Sequence, residues 1–306
     1  MASLKKPAPL KKGDTVAVVA PASPFDQAAF MRGVQRIESW GFKVQVGEGI
    51  TERRRYLAGD DERRFRELER ALTDPQVKAI FAARGGYGTQ RLLPALEKIP
   101  TDLNPKILLG YSDLTSLLLF ARQRWGWVTF HGPVVSKDIG DRLGPEGEDS
   151  LLRALTDPQA LGTLSPPGLV TLAIGRAEGP LVGGCLSLLV CSLGTPYQIQ
   201  TEGCVLFIED VGELLYSLDR MLFHLRLAGI FQKVRGIVFG PLKDAHDSPE
   251  VIQGMLRDVL GDLGVPMVFG FPSGHTEDSW TIPLGLPVRL DADEAKIEFP
   301  EGALEV

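Results

Sequence analysis

The sequence predicts an α/β protein, a doubly wound parallel sheet followed by a second, smaller β-rich α/β domain. Three observations carry that prediction. Apolar runs such as Thr15–Ala20 and Val77–Ala83 are continuous rather than alternating, as strands buried on both faces require. Helix-favouring segments stand between such runs, the alternation expected of βαβ units. The pattern then lapses over 157–180, where Pro166, Pro167, Gly168, Gly175, Gly179 and Pro180 gather, before a second block begins.

In order, the first block reads as strand Thr15–Ala20, then helix Pro24–Trp40 with Ser23 as N-cap, then strand Phe42–Val46. Helix Asp60–Leu72 follows, with Phe65, Leu68 and Leu72 spaced along one face. Strand Val77–Ala83, helix Thr89–Leu96, strand Lys106–Leu109, helix Asp113–Arg122 and strand Trp127–Phe130 complete it. The second block reads as helix Cys185–Leu193, strand Cys204–Glu209, helix Leu215–Ala228, strand Gly236–Phe239, helix Pro249–Leu260 and strand Met267–Phe271. Two β-like runs, Thr281–Leu284 and Pro287–Leu290, precede a last strand at Lys296–Phe299. The expected domains are 1–156 and 181–306, joined by a linker over 157–180. No internal repeat or low-complexity tract interrupts them.

Composition narrows the function classes. The 306 residues are 44% hydrophobic and 24% charged, with a formal net charge of −6. Lys and Arg are scattered, so no basic stripe suggests a nucleic-acid partner. No run approaches the roughly 18 apolar residues of a membrane span, and no apolar stretch follows the basic N-terminus to make a secretory signal. Cys185, Cys191 and Cys204 share no CxxC spacing and read as buried small hydrophobes of a reducing compartment. A cytoplasmic protein is expected.

Chemistry concentrates at three places. In Ile107–Leu119 a strand runs into Gly-Tyr-Ser-Asp and an apolar helix starts at once. A serine on such a turn can be raised as a nucleophile beside N–H groups that stabilise an oxyanion; Ser112 can equally be the helix N-cap. The glycine-rich stretch Arg84-Gly-Gly-Tyr-Gly88 lies between a strand and a helix and matches neither nucleotide fingerprint, because Arg91 stands where G-x-G-x-x-G needs glycine. It suits a tight turn, an oxyanion hole or a carboxylate clamp. Of four histidines, His224 in a Leu-rich helix reads as structural and His246 as solvated. His131 and His275, both in loops after apolar strands, remain alternatives for a base. The acid that would orient it comes from Phe207-Ile-Glu-Asp-Val-Gly-Glu213, where Glu209 closes a buried strand and Asp210 or Glu213 fits a helix cap. No H-E-x-x-H or paired-His spacing suggests a metal, and no cofactor is expected.

The chain resembles the LD-carboxypeptidase family of serine peptidases, which includes muramoyltetrapeptide carboxypeptidase. The resemblance rests on Gly13–Ser23, Tyr56–Arg63, Arg84–Gly88, Gly110–Asp113 and Phe130–Pro133, then Ile208–Asp210, Leu218–Leu222, and Gly274-His275 ahead of Ile282–Gly285. Each motif alone is weak, but their order and spacing are specific. The resemblance implies a flavodoxin-like N-terminal domain and a triad assembled from both domains, with Ser112 as nucleophile, Glu209 as acid and His275 as base. It puts the oxyanion hole on the N–H groups of Gly86 and Asp113. Arg84, Gly85 and Tyr87 are candidate substrate contacts, Arg84 for a terminal carboxylate. The implied substrate is a cell-wall-derived tetrapeptide cut before its terminal D-alanine, and the implied assembly a homodimer. Some relatives instead hydrolyse a peptidyl-nucleotide antibiotic, with more chain between serine and acid than here. A non-catalytic binding protein is the third reading. Ser279, where relatives often carry Asn, and Trp280 depart from the pattern near the base.

Overall fold

The computed structural model describes residues 4–243 and 246–306. In order, the chain forms β1 (Thr15–Val19), α1 (Gln27–Ser39), β2 (Lys43–Val46), α2 (Asp61–Thr73), β3 (Val77–Ala82), α3 (Leu93–Leu96), β4 (Ile107–Gly110), α4 (Thr115–Phe120), β5 (Thr129–His131) and α5 (Pro145–Thr156). It continues with β6 (Gly162–Leu164), β7 (Val170–Ala173), β8 (Arg176–Cys185), α6 (Leu186–Ser192), β9 (Val205–Val211), α7 (Leu215–Leu227), β10 (Gly236–Lys243), α8 (Pro249–Leu260), β11 (Met267–Phe269), β12 (Ile282–Leu284), β13 (Pro287–Asp291) and β14 (Lys296–Phe299). These fall into two compact units: residues 1–158 with 277–283 and 303–306, and residues 159–276 with 284–302.

The first unit is built on a six-stranded sheet of order β2-β1-β3-β4-β5-β12, the first five strands being parallel. Strand order 2-1-3-4-5 is the flavodoxin-like arrangement, whose ligand crevice opens where β1 and β3 diverge to opposite sides. Val16–Val19 and Ala79–Ala82 are fully buried, which is why both strands read as continuous apolar runs. Helix α1 starts later than expected because Asp26, not Ser23, is its N-cap: Asp26 Oδ1 accepts the Ala29 N–H at 2.8 Å. Asp60 caps α2 in the same way. The face of α2 that packs inward carries Leu68, Ala71 and Leu72, and also Arg64, which is 0% exposed. The segment after β3 is a 3₁₀ turn, Thr89–Leu92, before α3. Helix α5, with Pro145 at its first turn, has no counterpart in the sequence reading.

The second unit holds an eight-stranded sheet of order β6-β14-β13-β8-β9-β10-β11-β7. Its centre, β8-β9-β10-β11, is parallel, and the flanking strands run antiparallel. Residues 157–180, expected as a linker, contribute β6, β7 and the start of β8. The Pro and Gly residues there mark the ends of short strands, two of them at sheet edges, where proline is tolerated. Cys185 and Cys204 are buried as expected, whereas Cys191 is exposed. His224 lies on the exposed side of α7 rather than inside the packing.

Candidate active site

Strand β4 ends at Gly110, and the next residues turn sharply. Ser112 has φ 63°, one of three non-glycine residues with positive φ among those described. Holding a side-chain-bearing residue there costs on the order of 1 kcal/mol, a strain typical of functional turns. Ser112 is not the helix cap. It opens a 3₁₀ turn, Ser112–Leu114, whose preceding residue is Tyr111, and no side chain caps it.

The glycine-rich loop lies against this turn. A Cβ on Gly85 would stand 2.9 Å from Ser112 Cβ, so only glycine lets the two backbones approach this closely. Ser23 holds the loop from the other side: its N–H donates to Gly85 O at 3.2 Å, and its Oγ accepts the Tyr87 N–H at 3.1 Å. Gly86 takes φ +103°, and its N–H makes no loop hydrogen bond among the described residues. The Asp113 N–H opens a helical turn, where no intrahelical acceptor exists. Asp113 itself is 0% exposed, and its Oδ2 accepts the Thr89 N–H at 2.8 Å, joining the nucleophile turn to the end of the loop. Burial pushes its carboxyl above the ordinary range against the hydrogen bonds from Thr89 and Gly88 and the charge of Arg64. Arg64 in turn donates to the carbonyls of Gly88, at 2.9 Å, and Pro21. Tyr87 is exposed, its ring 5.8 Å from that of Tyr56.

In the second unit, β9 carries an acid to its end. Glu209 is 0% exposed, and its Oε2 lies 2.7 Å from His275 Nδ1 and accepts the His275 N–H at 3.1 Å. With Nδ1 protonated, this contact is a hydrogen bond donated to the carboxylate, and it orients the ring. Gly274 makes this approach possible: it has φ +105°, and a Cβ there would meet Glu209 Oε2 at 2.4 Å. Strand β10 shifts register between Phe239 and Leu242, and a Cβ on Gly240, within that irregularity, would stand 2.9 Å from Glu209 Cβ. Such bulges re-aim side chains beside sites. Of the neighbouring acids, Asp210 satisfies a helix N-terminal N–H, whereas Glu213 bonds only a side-chain hydroxyl. Asp210 Oδ2 accepts the Ser187 N–H at 2.8 Å at the start of α6, and Glu213 Oε2 accepts from Ser217 Oγ at 2.6 Å at the start of α7. His131 is buried at the end of β5 with its ring edge-on to Tyr111, 5.9 Å away.

The first unit thus holds a strained serine beside a glycine-rich loop, and the second a buried carboxylate paired with an imidazole. Residues 16–132 match the family model of the LD-carboxypeptidase N-terminal domain, and residues 178–290 that of the C-terminal domain. The chain belongs to the LD-carboxypeptidase family. Among its relatives is a "probable murein peptide carboxypeptidase" of Bacillus subtilis, 38% identical over 98% of this chain and 97% of that protein. A crystal structure of muramoyltetrapeptide carboxypeptidase from Oxalobacter formigenes superposes with TM-score 0.80 at 30% identity, covering 93% of this chain and 97% of that one. An inactive mutant of the microcin C7 self-immunity protein MccF, in the apo state, superposes with TM-score 0.88 at 26% identity, covering 98% of this chain and 99% of that one.

Three supporting roles went unassigned in the sequence reading: Ser23 and Arg64 hold the glycine-rich loop, and Gly274 admits the Glu209–His275 contact. Gly274 had a signal, since a glycine directly before a candidate base suggests a backbone forced close to something. Arg64 had a fainter one, its place four residues before Leu68 on the apolar face of α2. No group of three or more His, Cys, Asp or Glu residues suited to a metal occurs among the described residues. None of the helices described is long and apolar enough to cross a membrane.

Proposed function

We propose that this protein is a serine carboxypeptidase that removes the terminal D-alanine from cell-wall-derived tetrapeptides in the cytoplasm, through an acyl-enzyme. The observation that carries the reading is the 2.7 Å contact between His275 Nδ1 and buried Glu209. That contact orients the imidazole and offsets the imidazolium charge that forms in the transition state. In this mechanism His275 Nε2 takes the Ser112 proton as Oγ attacks the amide carbonyl. The N–H groups of Gly86 and Asp113 receive the oxyanion, and His275 returns the proton to the departing amine. Water then releases the acyl group by the same steps in reverse roles. The partner expected of this chemistry is a small peptide, and the family resemblance implies a homodimer.

Likeness to MccF supports a second reading, hydrolysis of a peptidyl-nucleotide amide. The two are separated by assaying a muropeptide tetrapeptide and an aminoacyl sulfamoyl adenosine side by side. Preference for the nucleotide analogue overturns the cell-wall assignment. Ser112→Ala is expected to lower kcat by about three orders of magnitude or more with the fold intact, and Glu209→Gln by about two to four. Unchanged turnover in a folded Ser112→Ala protein removes the nucleophile assignment.

A further inference from the structure

Two exposed cations, Arg84 after β3 and Lys137 after β5, form no salt bridge among the described residues. Arg84 is exposed, and its Nη1 donates to a carbonyl, Pro24 O, at 2.6 Å. Lys137 is exposed on a short π-helical turn, Val135–Ile139. Among the described residues neither cation lies within salt-bridge distance of a carboxylate. The nearest acid in sequence, Asp138, is already engaged: it accepts from Arg142 Nη2 at 2.6 Å and from the Val134 N–H at 3.0 Å.

This turn is pinned on both sides of Lys137 to the catalytic loops. The Ser136 N–H and Oγ both donate to Ala83 O, at 3.0 and 2.8 Å, immediately before Arg84. Asp138 Oδ1 accepts from Tyr111 Oη at 3.3 Å, immediately before Ser112. Lys137 therefore stands between residues tied to the start of the glycine-rich loop and to the start of the nucleophile turn. Partial burial and the guanidinium of Arg142 push its ammonium below the ordinary range, Asp138 opposes this, and Arg84 adds to it. Two cations close enough to repel, neither of them in a salt bridge, favour an anionic ligand there.

We propose that Lys137, together with Arg84, binds the free α-carboxylate of the amino acid that the enzyme releases. The inference rests on the carboxypeptidase reading and adds what makes the enzyme an exopeptidase. In a C-terminal residue the carboxylate carbon lies two bonds from the scissile nitrogen, so its receptor must lie beside the nucleophile. An internal peptide bond offers no charge at that place. The chemistry of the pair sets no preference for the side chain of the released residue, only for its free acid.

The test compares the tetrapeptide with the same peptide ending in D-alaninamide, using wild type, Lys137→Met, Lys137→Arg and Arg84→Met. The wild type is expected to prefer the free acid by about tenfold or more in kcat/KM, chiefly through KM. Lys137→Met should shrink that preference at least fivefold by raising KM for the free acid, and Lys137→Arg should restore most of it. Arg84→Met should give a smaller loss of the same kind. A folded Lys137→Met enzyme that keeps the wild-type preference overturns the inference while leaving the carboxypeptidase reading standing. A wild type that cleaves neither peptide overturns both, and does so before any variant is compared.

Discussion

Ser112 keeps its side chain at a conformational cost, which the proposed nucleophile role accounts for. At φ 63° glycine fits with less strain than serine or alanine. Ser112→Gly is therefore expected to be more stable than Ser112→Ala by about 0.5–1 kcal/mol, both being inactive, as thermal or urea unfolding will measure. Gly274 presents the reverse case. Alanine there must displace either the loop or the Glu209 carboxylate, which a Cβ would meet at 2.4 Å. Gly274→Ala is expected to lower kcat by about two orders of magnitude or more and to lower stability by about 1–3 kcal/mol, the range for strained positive-φ sites. Wild-type kcat in that variant would show that the Glu209–His275 geometry is not needed for turnover. The serine, acid and histidine were all visible as candidates in the sequence, because strand ends and glycine neighbours mark them. Residue pattern alone left His131 and His275 open and the family resemblance chose His275, because what separates them is a contact with a buried carboxylate 66 positions away.

At the level of elements, the ends of α2 illustrate what local pattern can and cannot tell. Its start was legible from Asp60, its inward face from Leu68 and Leu72. Its other end is held by Lys106, just before β4, whose buried Nζ donates to Ala71 O at 2.8 Å and to Asp74 O. A lysine satisfying helix C-terminal carbonyls is favourable to the dipole, but burial pulls its ammonium down from 10.5 to about 8 against the attraction of Asp74. The folded state therefore binds fewer protons than the unfolded state between those values, and the Lys106 contribution to stability rises as pH climbs from about 8 to 10.5. The stability gap between wild type and Lys106→Met should widen over that window, measured by urea unfolding. A constant gap rejects the assignment. Arg64 escaped the sequence reading for a related reason. Among Arg63, Arg66 and Arg70 it looks like a surface charge, and only the carbonyls of Pro21 and Gly88, distant in sequence, make its burial tolerable. The edge strands β6 and β7 were missed because they are short and bounded by Pro and Gly, a composition that also describes a linker.

For the whole chain, the alternation of strands and helices was sufficient to predict two α/β units, but not which stretches belong to each. The run Ile282–Leu284 is apolar in either setting, so periodicity could not show that Glu277–Pro283 and Ala303–Val306 group with the first unit rather than the second. A fragment ending at Pro158 lacks those segments and the edge strand next to β5. Such a fragment is expected to unfold at lower urea concentration than the first unit does in the intact chain, read from hydrogen exchange at Val16–Val19 and Ala79–Ala82. Equal protection in the two would show that the late segments add nothing to the sheet. The same feature has a consequence for synthesis on the ribosome. Translation runs from the N-terminus, and domains ordinarily fold as they emerge. Here the sheet that bears Ser112 waits for Ile282 to be translated before its last edge is covered, so the nascent chain carries an incomplete first sheet through the synthesis of six of the second sheet's eight strands.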